Sequence, residues 1–339
     1  MNGKSNKRIK IGFLLIIILP VLVSIISLLI GSYPISFKDV LKTFLSIFSS
    51  AGLKEIPEVY RDIILKIRLP RIILALTVGA SLSVSGASLQ ALFRNPLVNE
   101  YILGISSGAA FGASLSIVFF GKGFPVELAS FIFAFIAFYS VLFIAKGTGS
   151  DVISLLLTGV IVTAFFTSLL TMVEFLANPY SLQSLFFWLM GSFSLAGWKE
   201  VLYSLPFMFI GMTFLFLYRW KMNVLSLGDE EAKALGLNVK LEKLLIMIAT
   251  TIATSSAISA TGIIGWVGLI IPHISRMIFG VDNRKVIPAS AFIGATFLLL
   301  ADDFSRGITS FEIPVGIFTS IIGIPFFIYF LKKSGKLWA

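Results

Sequence analysis

The run from Leu244 to Ser275 contains no Asp, Glu, Lys or Arg, and nothing else in the chain constrains the fold as strongly. At about 1.5 Å per residue, one helix of that length overshoots a hydrocarbon core of about 30 Å. The run therefore reads as two short spans folded back at Ser259-Ala260-Thr261-Gly262. In the second span Gly262, Gly265 and Gly268 permit close approach to a neighbour, and Pro272 interrupts the hydrogen bonding. Polarity returns at His273, Ser275 and Arg276. Short spans broken by glycine and proline are what transport proteins place beside a substrate path, although a kinked packing helix leaves the same pattern.

Composition agrees. Hydrophobic residues make up 57% and charged residues 13% of the 339, where a soluble domain carries about 25% charge. In lipid the backbone has to satisfy its own polar groups, so an all-α polytopic membrane protein is expected. The absence of cysteine excludes disulfides, thiolate metal sites and cysteine nucleophiles. A single histidine, His273, leaves no cluster for zinc or haem, so neither a metal site nor a cofactor is expected.

The hydropathy pattern gives about ten spans in one transmembrane domain covering 1–339. The first, Ile11–Ile30, is longer than a signal-peptide core and lacks a small-residue cleavage site, so it reads as retained. Phe37, Val40, Leu41, Phe44, Leu45 and Phe48 recur at helical spacing in a segment too polar to cross, which predicts an amphipathic surface helix. Span two is Ile72–Phe93, rich in Gly, Ala and Ser. Span three is Tyr101–Phe120, with Gly104, Gly108 and Gly112 on one face, a packing signal. Leu128–Ala145, Val152–Val173 and Val201–Tyr218 are spans four to six. Between the last two, Glu174 to Trp198 reads as re-entrant or interfacial. After the paired run come Val286–Ala301 and Ile313–Leu331. Ten spans put both termini on one side. That side carries the whole formal excess of +10, which makes it cytoplasmic and removes the case for nucleic acid.

No GxxxxGK[ST] loop is present, so the chain lacks that means of binding ATP, and no HExxH occurs. Glu174, Asp302 and Asp303 fall at span ends, whereas proton-coupled carriers keep an acid at mid-membrane. Energy is therefore expected from a partner protein. A carrier driven by an ion gradient is the rival reading, and a membrane-embedded enzyme has no acid, base or metal constellation to use, so no catalytic residue is assigned.

Two polar segments could receive partners. Within the segment 219–243, Asp229 and Glu230 suit the start of a short helix and Gly236 its end. Such a helix would be a docking knob, though the pattern fits an ordinary solvated loop as well. On the other side Arg68-Leu69-Pro70-Arg71 precedes span two and Arg306 follows span nine. Guanidinium groups suit carboxylates on a docking protein, and they equally suit lipid headgroups.

At these residues the chain resembles the FecCD group of ABC-importer permeases, membrane subunits of iron–siderophore, haem and vitamin B12 uptake systems. The matching pieces run in order from Arg68-Leu-Pro-Arg71 to Gly323-Ile-Pro-Phe-Phe327. Among them are Arg94-Asn-Pro-Leu97, Leu103-Gly-Ile-Ser-Ser-Gly-Ala109, Trp188-Leu-Met-Gly-Ser192, Gly265-Trp-Val-Gly-Leu-Ile-Ile-Pro-His-Ile-Ser-Arg276 and Glu312-Ile-Pro-Val-Gly316. The resemblance implies a type II importer permease fold that works as a homodimer with two ABC ATPase subunits, in a cell membrane with cytoplasmic termini. It implies that Gly228, Glu231, Ala232, Leu235 and Gly236 belong to the segment coupled to the ATPase. It also implies that Arg68, Arg71 and Arg306 meet glutamates of an extracellular or periplasmic substrate-binding protein. The inner gate would lie near the 146–153 loop, where the match assigns no residues. The chain departs from the family at Val98-Asn99-Glu100, where Ala, an acid and Pro are usual, and at Ser310-Phe311, where a proline before Glu312 is common. An iron–siderophore is the expected cargo, with haem and cobalamin as related choices.

Overall fold

The computed structural model describes residues 2–31, 33–48, 57–147, 152–308 and 311–334, and every regular element among them is helical. In chain order the α-helices are α1 (Asn2–Ser27), α2 (Phe37–Phe48), α3 (Glu58–Asp62), α4 (Leu69–Phe93), α5 (Ile105–Leu115), α6 (Val126–Gly147), α7 (Val152–Leu176) and α8 (Pro179–Leu189). They continue with α9 (Trp198–Leu225), α10 (Asp229–Ala234), α11 (Val239–Thr261), α12 (Val267–Phe279), α13 (Asn283–Gly307) and α14 (Val315–Ser334). A widened π turn, Ile63–Arg68, joins α3 to α4 without a break, and a second one, Ser116–Phe120, closes α5.

Among the described residues six helices are long and apolar enough to cross a membrane, and the four other expected spans fall on shorter apolar helices. The helix containing α4 has 78% of its most apolar window buried, against 33% for α7 and 28% for α9. α4 is thus the central rod, packed on α9, α11, α12 and α13, while α7 and α9 turn apolar side chains outward. Large apolar residues such as Leu157, Phe165, Phe175 and Leu202 are exposed on these outer helices, the pattern of a lipid-facing surface rather than a water-facing one.

α4 buries Leu74, Leu82, Leu89 and Leu92, and at its glycines the neighbouring helices approach its backbone directly. A Cβ added at Gly86 would collide with the Gly268 carbonyl of α12, and one added at Gly79 with the Gly294 carbonyl of α13. The expected glycine face of α5 does the same against α6, where a Cβ at Gly108 would lie 2.5 Å from the Phe133 carbonyl oxygen. Without a hydrophobic drive between helices in lipid, such dispersion contacts hold the bundle.

Pro272 does not break α12. Having no amide hydrogen, it leaves the Gly268 carbonyl without its helical donor. Gln90 of α4 supplies one: its Nε2 donates to the Gly268 carbonyl at 3.4 Å and to the Leu269 carbonyl at 3.3 Å, and its Oε1 accepts from Arg276 Nη1. The chain reverses between α11 and α12 through 262–266, slightly beyond the expected fold-back at 259–262. There Gly262 has φ 75° and Trp266 has φ 71°, an unfavourable conformation for a bulky residue. The polar segment 219–243 is shorter than expected, because α9 runs to Leu225 and α11 starts at Val239. The ambiguous stretch before α9 contains α8, an 11-residue helix of about 16 Å that cannot cross by itself. Asn178 caps α8 by accepting from the Ser181 amide at 2.9 Å.

In α2, Val40 is buried and Phe44 packs inward, while Phe37, Leu41 and Leu45 stay exposed, as an amphipathic surface helix requires. The expected gate loop falls largely on 148–151, outside the described residues.

Gly86→Ala is expected to lower stability by about 1–3 kcal/mol, because the carbonyl it meets belongs to a packed backbone. Gly123→Ala, with nothing within 4 Å, is expected to be neutral. Thermal unfolding of both variants in one detergent checks the contrast.

Candidate functional site

Two faces carry the polar residues singled out in the sequence. One holds Arg94, α10 and the turn 280–282; the other holds Arg71, Arg306 and Glu312. α4 spans the distance between them.

On the Arg94 face the chain leaves α9, passes Gly228 with φ 147°, and forms α10. Asp229, Glu230 and Glu231 occupy its first turn, where carboxylates oppose the positive end of the helix dipole. Ala232 is wholly buried and anchors the helix to the core. The Leu237 amide donates to the Ala232 carbonyl at 3.0 Å and the Gly236 amide to the Lys233 carbonyl at 2.9 Å. This is the Schellman closure, and Gly236 at φ 85° supplies the left-handed residue it needs. Lys243 pairs with Asp229 at 2.6 Å, and Arg94 at the end of α4 lies 3.8 Å from the same carboxylate. Leu227 and Leu235 remain exposed at the two ends of α10. The expected helix is therefore present, and Gly228, Glu231, Ala232, Leu235 and Gly236 lie together on one compact projection.

On the opposite face the three arginines are only 3% (Arg68), 5% (Arg71) and 7% (Arg306) exposed. The sequence reading placed them as outward contacts for a partner's carboxylates; in the folded chain they are already engaged. Arg71 Nη2 lies 2.9 Å from Asp302 and its Nη1 2.8 Å from Glu312. Arg306 pairs with Asp303 at 2.5 Å and donates to the Ser27 carbonyl at 3.0 Å. Arg68 donates to the carbonyls of Leu28 at 2.6 Å and Tyr33 at 2.5 Å. The network ties α1, α4 and α13 to the start of α14. The part nearest solvent is Glu312, whose side chain is 40% exposed and also accepts from Ser194 at 2.5 Å. Burial works against its ionisation, but hydrogen bonds from Arg71 and Ser194, with the charges of Arg71 and Arg306, outweigh that and hold its carboxyl below the usual range.

Between the faces, the end of α8, the 262–266 turn and the start of α14 meet around three glycines. The Ser192 amide donates to the Thr261 carbonyl at 2.8 Å and the Gly316 amide to the Gly191 carbonyl at 3.3 Å. A cavity of about 420 Å³ opens there, lined by Tyr101, Met190, Ile263, Trp266 and Ile317 among others.

Glu100, named from the sequence only in the departure at Val98-Asn99-Glu100 just before span three, has no role assigned there. It is 1% exposed, and neither carboxylate oxygen has a hydrogen-bond partner among the described residues. It sits in the one-turn 3-10 helix Glu100–Leu103, beside Gly268 in the first turn of α12. The available signal was the departure at Val98-Asn99-Glu100. Among the described residues no group of three His, Cys, Asp or Glu could hold a metal ion.

Arg71→Ala is expected to cost about 3–5 kcal/mol, since it leaves the buried Asp302 with only the longer 3.6 Å pairing to Arg306. Glu312→Gln is expected to cost less, because one partner of that pair is partly exposed. The Glu312 carboxyl is depressed on folding, so its contribution is complete above the unfolded value of about 4.3 and is lost as pH falls through the folded one. Unfolding curves for wild type and Glu312→Gln are therefore expected to converge on acidification.

Comparison with known proteins supplies the frame for these faces. The model of the FecCD transport family matches residues 16–333. A permease ascribed to an iron chelatin transport system of Helicobacter pylori is 39% identical over 314 residues, covering 93% of this chain and 96% of its own. The molybdate import system permease protein MolB of Haemophilus influenzae is 38% identical over 341 residues, covering 99% of each chain. A solved ABC transporter assigned to the metal-chelate type, in an inward-facing conformation, superposes with a TM-score of 0.83 at 34% identity, covering 95% of this chain and 98% of that one. The chain belongs to the FecCD transport family, as a membrane transport subunit rather than an enzyme.

Proposed function

We propose that this chain is the permease of an ABC importer that moves a metal chelate into the cytoplasm, driven by ATP hydrolysis in a partner subunit. The observation that carries the reading is α10, a capped six-residue helix anchored by buried Ala232 and exposing Leu235. A rigid knob of this kind transmits displacement from a docked partner to α9 and α11, which flank it. The Arg94 face is then cytoplasmic, in line with its positive excess, and the four shorter apolar helices complete ten crossings with both termini on that side.

The Arg71 face receives the substrate-binding protein. Arg68, Arg71 and Arg306 frame that face from within, and an arriving carboxylate would compete with Glu312 for Arg71. Two copies of the chain pair so that the substrate path runs between them, with the 420 Å³ cavity beside α8 and α14 as this subunit's share. Relatives ascribed to iron chelatin and molybdate transport keep the cargo within metal-containing anions and chelates, and an iron–siderophore is the first choice, ahead of haem and cobalamin.

One observation favours a carrier driven by an ion gradient. Glu100 is the buried acid that proton-coupled carriers use. Vesicles separate the readings: uptake that requires ATP and a phosphate-loop ATPase supports the importer, and uptake that follows a gradient without ATP overturns it. Intact-complex mass measurement is expected to give two permeases with two ATPases.

Gly236→Val forces a β-branched residue into a left-handed conformation, costing about 1–2 kcal/mol locally. With Glu231→Lys, it is expected to leave the fold intact while uncoupling uptake from ATP hydrolysis. The ratio of substrate moved to ATP hydrolysed in proteoliposomes measures this, and a wild-type ratio in both variants removes α10 from the coupling role.

A further inference from the structure

Beside α10 on the Arg94 face lies a pocket of about 790 Å³ between the ends of α4, α9 and α12 and the start of α13. Arg276 lines it. The guanidinium donates to Gln90 Oε1 and, at 3.4 Å, to the Ala87 carbonyl. Among the described residues no carboxylate lies within ion-pair distance of it. The one acid in the wall, Asp282, is committed elsewhere: Arg284 pairs with it at 3.0 Å, Asn223 donates to it at 2.6 Å, and it caps α13. A half-buried guanidinium without a counter-charge is a receptor for an anionic group of planar geometry.

The rim argues for a protein as the source of that group. Leu227, Met277 and Val281 are 63%, 62% and 82% exposed and surround the opening. Apolar rims around an arginine suit a macromolecular contact better than a free ion. The pocket is also continuous with α10: Ser226 and Leu227 in its wall immediately precede Gly228, and Arg94 in its wall reaches Asp229.

We propose that this pocket is a second seat for the ATPase subunit, taking a carboxylate side chain of that subunit onto Arg276. The proposal rests on the importer reading above. It adds a contact that α10 does not supply: α10 presents an apolar tip and an acidic first turn, while the pocket presents a cation.

The test uses the assembled permease–ATPase complex in lipid nanodiscs. In an Arg276→Lys variant, a carbodiimide is expected to join the new amine to an ATPase Asp or Glu, with loss of water, giving a linked peptide absent from wild type. Met277→Asp and Val281→Asp are expected to weaken ATPase binding at least tenfold with unchanged thermal stability, since both side chains are exposed. An assembled complex with no such link and unchanged affinity in both Asp variants overturns the seat while leaving the importer reading in place. Protection of the amine by millimolar inorganic phosphate, with unchanged affinity, assigns the pocket to a small anion and also overturns it. A wild-type chain that binds no ATPase overturns both readings together.

Discussion

The structure depends on burying a helix rich in Gly, Ala and Ser in a medium that offers no hydrogen bonds. α4 has neighbours on nearly all sides, so its buried polar groups turn to its own backbone, as Ser88 does to the Val84 carbonyl, or to another helix, as Ser81 does to the Ala253 carbonyl. Its two ends solve this differently. At one end Arg71 is clasped by Asp302 and Glu312, charge against charge. At the other Gln90 serves a carbonyl left open by Pro272 and a guanidinium from the same helix. Between them, glycines let backbone meet backbone. Charge fixes depth and rotation, while close approach fixes distance, and neither alone positions α12 and α13 against the rod.

This arrangement explains why the two functional faces differ in character. The Arg71 face is a closed network in which most cations have a carboxylate or carbonyl, so it is stiff and presents little free charge. The Arg94 face is assembled from helix ends, a short capped projection and a cavity with an unmatched cation. On the importer reading proposed above, the Arg94 face is where the motor would dock and the Arg71 face where the lobes of a carrier protein would be registered, with compliance wanted at the first and rigidity at the second. The distribution of paired and unpaired charge follows that division.

Much of the helix pattern was legible because it is periodic and local. The apolar runs, the Asn95-Pro96 break and the glycine face of α5 each announce themselves within a few residues. The Asp229-to-Gly236 helix was legible for the same reason, because a dipole-matched start and a glycine end lie one short helix apart. What could not be read was pairing at long range. Arg71 finds Asp302 and Glu312 across 231 and 241 positions, and nothing near Arg71 distinguishes an inward guanidinium from an outward one. Glu100 was hidden by a different cause. It lies in the polar stretch between spans two and three, which the chain folds back against α12, where depth rather than composition decides its surroundings.

The π turn at Ile63–Arg68 also has a bearing on the outer face. A wide turn accommodates one residue more than an α turn does, so everything before it is rotated by roughly 100° relative to an uninterrupted helix. Glu58–Asp62 is therefore indexed to the central rod through a single extra residue. Such an insertion works as a register pin. It lets that segment be dialled around the rod in evolution by one-residue steps, while the guanidinium groups beyond it keep their places.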